Sequence, residues 1–161
     1  MSVAFRRDGD EEHLEPRFEI PIPPGPNLVT ARGKAQIDER VAALVAQLAL
    51  AAGDAAGDDD AAIVAARRDL RYWQTRQITA ELAPVPAGAV VEFGTTVTFM
   101  LNGQSRRLTI VGDDEADPAG GRISFSAPLA RAMMQAEPGE FLPFGRRDDA
   151  IEIVSIEVMH G

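Results

Sequence analysis

The spacing of apolar residues changes once along this chain, and that change limits the possible folds more than any other feature. Before residue 84 the apolar residues recur every three or four positions, which is typical of one stripe on an α-helix. After residue 88 β-branched and aromatic runs take over, which favours strands. Pro84, Pro86 and Gly88 lie between the two regions and break regular structure. The sequence therefore predicts a helical part, residues 27–83, and an α+β domain, residues 84–161.

The helical part divides into two segments around a turn. The first apolar stripe consists of Ile37, Val41, Leu44, Leu48 and Ala51. The second consists of Ile63, Ala66, Leu70 and Trp73, after which it drifts to Ile78 and Leu82. Residues 53–60 contain two glycines and four aspartates, which favours a turn and a helix start. Two helices of about 22 residues, each roughly 33 Å long, would form an antiparallel hairpin, with Thr30 capping the first.

The arginines of the second helix are expected to lie outside its apolar stripe. They are Arg67, Arg68, Arg71 and Arg76.

The C-terminal region contains signals for several strands and one short helix. Asn102-Gly103 is the strongest short hairpin signal and predicts a β-hairpin over residues 95–111. Further strand patterns cover residues 90–93, 122–125, 139–143 and 150–158. Pro128 favours a short helix over residues 128–135. The prediction is a small α+β domain with about five strands.

The N-terminal residues 1–26 have the composition of an acidic, proline-rich tail. Four prolines lie within residues 20–26, which favours extended geometry over helix. We expect this segment to be mobile or to lie along a surface, either as a solubilising tail or as a docking arm.

Composition excludes several classes of function. The chain has no cysteine and two histidines, both near its ends, which argues against cysteine-ligated metals, thiol nucleophiles and a Ser-His-Asp triad. The formal net charge of −9 argues against autonomous DNA or RNA binding. No apolar run approaches a membrane span, and no signal peptide is evident. We therefore expect a cytoplasmic protein without membrane contact.

Four stretches of the chain are similar to the Gre-type transcript cleavage factors. Residues 93–97, 109–112 and 128–132 fit motifs of the family's C-terminal domain in order and spacing. Residues 28–30 followed by Gly33 resemble the opening of the family's coiled coil. The resemblance covers residues 27–158.

The resemblance implies an N-terminal antiparallel coiled-coil hairpin followed by a small FKBP-like α+β domain. It implies a bacterial transcription elongation factor, expected to be a monomer, that binds RNA polymerase at its secondary channel. Such a factor is not an enzyme itself. It stimulates the polymerase to cleave backtracked RNA, and it reaches the RNA 3′ end only through the polymerase. It has no cofactor of its own and shares Mg²⁺ with the polymerase.

The resemblance also assigns site residues at the tip of the hairpin. Family members use two tip carboxylates to hold a second Mg²⁺ and to orient the attacking water. Asp54 matches the first acid, and Asp58 or Asp59 matches the second, with an insertion near the tip. Asp54, Asp58 and Asp59 are thus the candidate catalytic acids, and Asp54 and Asp59 the candidate Mg²⁺ ligands. The alternative is that these aspartates only cap the second helix, a role expected for Asp60.

A second implied site is the polymerase-docking turn, Ser126, Ala127 and Pro128. A rigid proline turn makes a good interface anchor, although Pro128 could equally serve only to start the helix. The nearby acidic loop, Asp113, Asp114, Glu115 and Asp117, is expected to be a solvated turn, or alternatively a charged contact to polymerase.

The sequence is also compared with two other functions, a polymerase regulator and a proline isomerase. The first helix is shorter than the family's by about two heptads, or roughly 20 Å. A Rnk-like or Gre-antagonist regulator, bound at the secondary channel without stimulating cleavage, is therefore the alternative. An FKBP-like proline isomerase is disfavoured because only five phenylalanines lie in the C-terminal domain.

Overall fold

The structure, a computed structural model, describes residues 19–53 and 60–159. Within them the fold is α+β, with two long helices followed by a five-stranded sheet and a short helix. The elements are β1 (Leu28–Val29), α1 (Ala31–Gly53), α2 (Ala61–Thr79), β2 (Glu81–Leu82), β3 (Thr95–Leu101), β4 (Gln104–Val111), β5 (Arg122–Ser124), α3 (Pro128–Met133), β6 (Phe141–Phe144) and β7 (Arg147–Val158). Two 3-10 turns, Asp113–Glu115 and Pro118–Gly120, lie between β4 and β5.

Both predicted helix caps are confirmed. The Thr30 hydroxyl accepts a hydrogen bond from the backbone N–H of Gly33 at 2.9 Å. The Asp60 carboxylate accepts one from Ala62 at 2.9 Å. Each cap satisfies a backbone donor that has no partner within the first turn of its helix.

Helices α1 and α2 pack against each other in antiparallel directions. Gln77 near the end of α2 donates to Asp38 near the start of α1 at 2.9 Å. Four residues earlier on α2, the Trp73 ring lies 6.0 Å from the Arg40 guanidinium. The bond from Gln77 and a bond from Lys34 lower the pKa of Asp38 below its usual value, with Lys34 the larger cause. The buried apolar side chains between the helices come from the predicted stripes: Ile37, Leu44, Ile63 and Ala66.

The predicted end of the second stripe is wrong. Ile78 and Leu82 are 82% and 66% exposed, whereas Arg76 is only 2% exposed. Arg76 follows Trp73 by three residues and therefore lies on the same face of the helix, where it continues the stripe. The sequence predicted that Arg76 lies outside the apolar stripe, and this prediction is wrong. At this level α2 faces an acidic loop, and a cation replaces the expected apolar residue.

The sheet has the strand order β5-β4-β3-β7-β6. Within this five-stranded sheet the β4–β5 pair is parallel and the other three pairs are antiparallel. The predicted hairpin over residues 95–111 is confirmed, because Asn102 and Gly103 turn the chain with φ of 51° and 85°. Positive φ at both positions is the geometry that favours Asn-Gly.

Residues 90–93 do not form the strand that their composition suggested. Val91 instead exchanges backbone hydrogen bonds with the segment after α3, accepting from Gln135 at 2.7 Å and donating to Ala136 at 2.9 Å. Its side chain is fully buried in the core. The core between the sheet and α3 consists of Val91, Val97, Phe99, Ile110, Ile123, Ala130, Met133, Ala136, Ala150, Ile151 and Ile153.

Two short strands lie at the base of the helix pair, which is the end formed by the start of α1 at Ala31 and the end of α2 at Thr79. Strands β1 and β2 pair in parallel, Leu28 opposite Glu81 and Val29 opposite Leu82. At two residues each, they are too short for a periodicity signal.

Glu19 lies against α2, where Arg71 donates two hydrogen bonds to its carboxylate at 2.7 and 2.8 Å. These bonds lower the pKa of Glu19. Residues 1–18 of the predicted tail lie outside the described residues.

Helices suited to crossing a membrane are absent from residues 19–53 and 60–159.

Candidate functional site

The predicted docking turn lies between β5 and α3. Ser126 and Pro128 are exposed, whereas Ala127 is half-buried and packs against the core. Ala127 is the residue that precedes α3, and Pro128 is the first residue of the helix. Pro128 therefore does start the helix, and its exposed ring remains available for contact.

Hydrogen bonds hold this turn in one conformation. The Ser126 hydroxyl donates to the Asp113 carboxylate at 2.7 Å, and the Ser124 hydroxyl donates to the same oxygen. The backbone N–H of Ser126 donates to the Ser124 hydroxyl at 3.1 Å. Just before the turn, the Phe125 ring packs edge-on against Phe93 with centroids 5.5 Å apart. The exposed Ser126 and Pro128 thus stand on a fixed backbone.

The acidic loop is not the solvated turn that the sequence suggested. Asp114 accepts hydrogen bonds from the Arg76 Nε and the Tyr72 hydroxyl of α2, each at 2.5 Å. Arg76 also donates to the Asn27 side chain at 2.7 Å. Of the four loop acids, only Asp117 is exposed, where it pairs with Arg122 at 3.1 Å.

Glu115 makes the second contact between the loop and the helix pair. It is 6% exposed, and its carboxylate accepts from the Thr30 hydroxyl at 2.6 Å and from Arg32 at 3.1 Å. Gly33 lies directly beneath it, where a Cβ atom would come within 2.8 Å of the Glu115 carboxylate. Any larger residue at position 33 would push Glu115 away.

Gly112 makes the third contact, through the backbone. A Cβ atom at this position would lie 2.3 Å from the carbonyl oxygen of Leu28. That distance is far below van der Waals contact, so only glycine fits. The motif at residues 28–33 and the motif at residues 109–112, which lie far apart in sequence, therefore meet at the base of the helix pair.

Sequence reasoning did not identify Arg76 and Tyr72 as partners of the loop. The available signal was a charged residue at a position of the apolar stripe, which requires a buried counter-charge. The acidic loop at residues 113–117 is one acid-rich segment that could supply it.

The predicted tip acids, Asp54, Asp58 and Asp59, lie outside the described residues. Asp60 is described, and its carboxylate accepts from backbone N–H groups of α2, so it acts as the predicted cap. Within residues 19–53 and 60–159 no cluster of three metal-ligating side chains occurs. The tip sequence itself fits Mg²⁺ by its donors, because carboxylate oxygens are the side-chain ligands that this ion prefers.

Tyr72 provides a spectroscopic test of the contact with the loop. Burial raises its pKa well above the usual value near 10, as do the bond to Asp114 and the Asp114 charge, while the charge of Arg76 opposes the shift. Because Tyr72 is the only tyrosine, phenolate absorbance reports it alone. We expect it to stay un-ionised in the folded protein at about pH 11, where a free tyrosine is mostly ionised.

The raised pKa also fixes the sign of the pH effect on stability. The contribution of Tyr72 is fully present below its unfolded pKa near 10 and is lost as the pH rises above it. Asp114→Asn should lower the Tyr72 pKa toward the usual value, whereas Asp117→Asn, in the exposed part of the loop, should leave it unchanged. A wild-type titration midpoint near 10 in the folded protein would contradict the buried contact.

Comparison with known proteins finds sequence relatives of one class. The sequence model of "Transcription elongation factor, GreA/GreB, C-term" matches residues 86–158. The chain is 35% identical over 108 residues to transcription elongation factor GreA of Thermomicrobium roseum, covering 67% of this chain and 69% of that protein. It is 31% identical over 108 residues to GreA of Pseudomonas putida, covering 66% and 68%.

Among solved structures, the chain is similar to the elongation factor GreA/GreB from Nitrosomonas europaea. The identity is 18% and the TM-score 0.38, with 81% of this chain and 98% of that one covered.

The sequence relatives place the chain in the Gre class of transcription factors. The chain belongs to the GreA/GreB family of transcription elongation factors.

Proposed function

We propose that this protein binds RNA polymerase at its secondary channel and stimulates cleavage of backtracked RNA. In this proposal the sheet is an FKBP-like docking domain, and α1 and α2 form an antiparallel coiled coil. The protein is an accessory factor, because the nuclease is the polymerase itself. It acts on the RNA 3′ end only through that enzyme.

One observation carries the proposal. Three consecutive acids connect the docking turn to the helix pair: Asp113 holds Ser126 at 2.7 Å, while Asp114 and Glu115 hold α2 and the start of α1. A factor that docks with one part and acts with another needs such a connection. The docking turn presents exposed Ser126 and Pro128 for contact with a partner.

The acids that act in the polymerase are proposed to be Asp54, with Asp58 or Asp59. Asp54 directly follows α1, which ends at Gly53, and the other two shortly precede α2. The carboxylates of Asp54 and Asp59 would hold a Mg²⁺ shared with the polymerase. A second hard cation at such a site stabilises the charge of the attacking and leaving oxygens. The carboxylates of this chain would also accept hydrogen bonds from the attacking water and orient it.

The length of α1 favours a second candidate function. It has 23 residues, or about 35 Å at 1.5 Å per residue, which is short beside the Gre-type coil. A Rnk-like or Gre-antagonist regulator would occupy the secondary channel without stimulating cleavage.

A cleavage assay separates the two functions. Backtracked polymerase complexes with labelled RNA should release short 3′ fragments faster when the wild-type protein is added. Unchanged cleavage together with measurable binding would reject the cleavage function and select the regulator. Absence of binding would reject both.

The docking turn is tested by a pair of matched substitutions. Ser126→Arg should weaken polymerase binding by about tenfold, roughly 1.4 kcal/mol, because it breaks the bond to Asp113 and places a bulky charge in the contact. Pro128→Ala should weaken binding less, by releasing the turn. Ser105→Arg, exposed at the opposite end of β4, is the control and should bind normally. Equal affinity of Ser126→Arg and Ser105→Arg would reject this docking assignment.

A further inference from the structure

The base of the helix pair contains more buried charge than packing requires. Arg76 is 2% exposed and Glu115 6%, and the side chain of Asp114 is 9% exposed. Removing such charges from water is costly, and a well-packed apolar replacement is often neutral or stabilising. Stability alone therefore does not account for charged groups here. Oriented hydrogen bonds provide something that apolar contacts lack, namely a defined angle between the elements they join.

Asp114, Glu115 and the preceding Gly112 contact three different segments, namely α2, α1 and the strand β1 that leads into α1. Asp114 holds α2 through Arg76 and Tyr72. Glu115 holds the first turn of α1 through Thr30 and Arg32. Gly112 lies against the backbone of β1. Contacts to three separate segments restrict the orientation of the helix pair, whereas a single contact would act as a pivot.

Orientation at the base determines where the far end of the helices lies. Helix α1 has 23 residues, so its far end is about 35 Å from the loop. A 10° tilt at the base would move that end by about 6 Å, several times the roughly 2.1 Å of a Mg²⁺–oxygen bond. A misplacement of about 1 Å can cost a hundredfold in rate.

We propose that Arg76, Tyr72, Asp114 and Glu115 are positioning residues that fix the direction of the helix pair relative to the docking turn. They act through the tip acids and do not touch the RNA. The consequence for cleavage rests on the proposed function, but the fixed angle is a property of the free protein.

The angle can be measured by pulsed electron spin resonance in the full-length chain. The chain has no cysteine, so Ala49→Cys on α1 and Ser105→Cys on the sheet accept two spin labels without competition. Both positions are exposed. The wild-type background should give one narrow distance distribution.

The decisive variant replaces the polar group as a whole with apolar residues of similar size: Arg76→Met, Asp114→Leu and Tyr72→Phe. We expect it to fold and to broaden or shift the label distance. The control is Arg107→Met with Glu157→Leu, an exposed ion pair of 3.0 Å on the sheet, and it should keep the wild-type distribution. A narrow, unshifted distribution in the folded triple variant would overturn the proposal. If the triple variant does not fold, Tyr72→Phe alone is judged by the same criterion.

Polymerase assays supply the functional readout. The triple variant should bind polymerase within about threefold of wild type, since the docking turn is intact, but lose about a hundredfold in cleavage stimulation. Full cleavage stimulation despite a broadened distance would also overturn the proposal. If wild type itself does not stimulate cleavage, the proposed function fails, and the distance measurement still decides whether these residues fix the angle.

Discussion

Cleavage stimulation is expected to disappear when the three candidate tip acids are replaced together, as Asp54→Ala, Asp58→Ala and Asp59→Ala. The expected loss is about a hundredfold or more, the range seen when a preorganised group that stabilises charge is removed. Polymerase binding should not change, because in sequence these residues come between the end of α1 and the start of α2, whereas the acidic loop contacts the other end of each helix. The measurement is the rate of 3′ fragment release from backtracked complexes at saturating factor.

The single variants distinguish the two candidates for the second acid. Asp54→Ala should cost most of the activity. Of Asp58→Ala and Asp59→Ala, the one that removes a metal-directed carboxylate should also cost most of the activity, and the other should cost little. Asp60→Ala is a matched control, because its carboxylate already accepts from backbone N–H groups. It should lower helix stability by about 1 kcal/mol and leave cleavage intact at saturating factor. Retained activity in the triple variant would show that the tip carboxylates do not act on the metal.

The local features of the fold were predictable because each has a signal within a few residues. Thr30 and Asp60 are capping residues placed directly before apolar periodicity, and both cap. Asn102-Gly103 requires positive φ at both positions, and both have it. In these cases backbone geometry depends on the residue type itself, so no knowledge of distant partners is needed.

The base of the helix pair could not be predicted in the same way, because its partners lie far apart in sequence. Arg76 and Asp114 are separated by 38 positions, and Thr30 and Glu115 by 85. Periodicity counts apolar residues, so it continued the stripe to Ile78 and missed the buried cation. The sequence predicts a solvated acidic loop, because no local signal distinguishes a solvated carboxylate from one that pairs with a buried arginine.

In the candidate docking turn, too, the local feature was predictable from the sequence and the long-range contact was not. The exposed, proline-started turn at residues 126–128 lies where the motif placed it. Its bond to Asp113 joins it to the acidic loop, and no sequence pattern indicated that link. No sequence signal links the motif at residues 28–33 to the motif at residues 109–112, whereas the structure brings Gly33 against Glu115 and Gly112 against Leu28. The glycines are needed at both positions because two segments of the chain approach each other there.

Arg76→Ala is expected to be the most destabilising of the substitutions considered for this chain. Removing one partner of a buried ion pair costs about 3–5 kcal/mol, a large part of the roughly 5–15 kcal/mol that stabilises a typical domain. The reason is that Asp114 and the Asn27 side chain would remain buried without the guanidinium that now donates to both. Denaturant unfolding followed by helix circular dichroism measures the loss.

Arg71→Ala is the matched control, because it makes the same change five residues earlier on α2. The Arg71 side chain is 53% exposed and its partner Glu19 is 56% exposed, so water replaces the lost bond and the unfolding midpoint should barely move. The comparison also separates the effect of charge from that of burial. Arg76→Met combined with Asp114→Leu and Tyr72→Phe should be far less destabilising than Arg76→Ala alone, because no charge of the pair is left buried. Equal unfolding midpoints for Arg76→Ala and Arg71→Ala would show that the loop does not hold α2 through this arginine, since only a buried guanidinium can cost more than an exposed one.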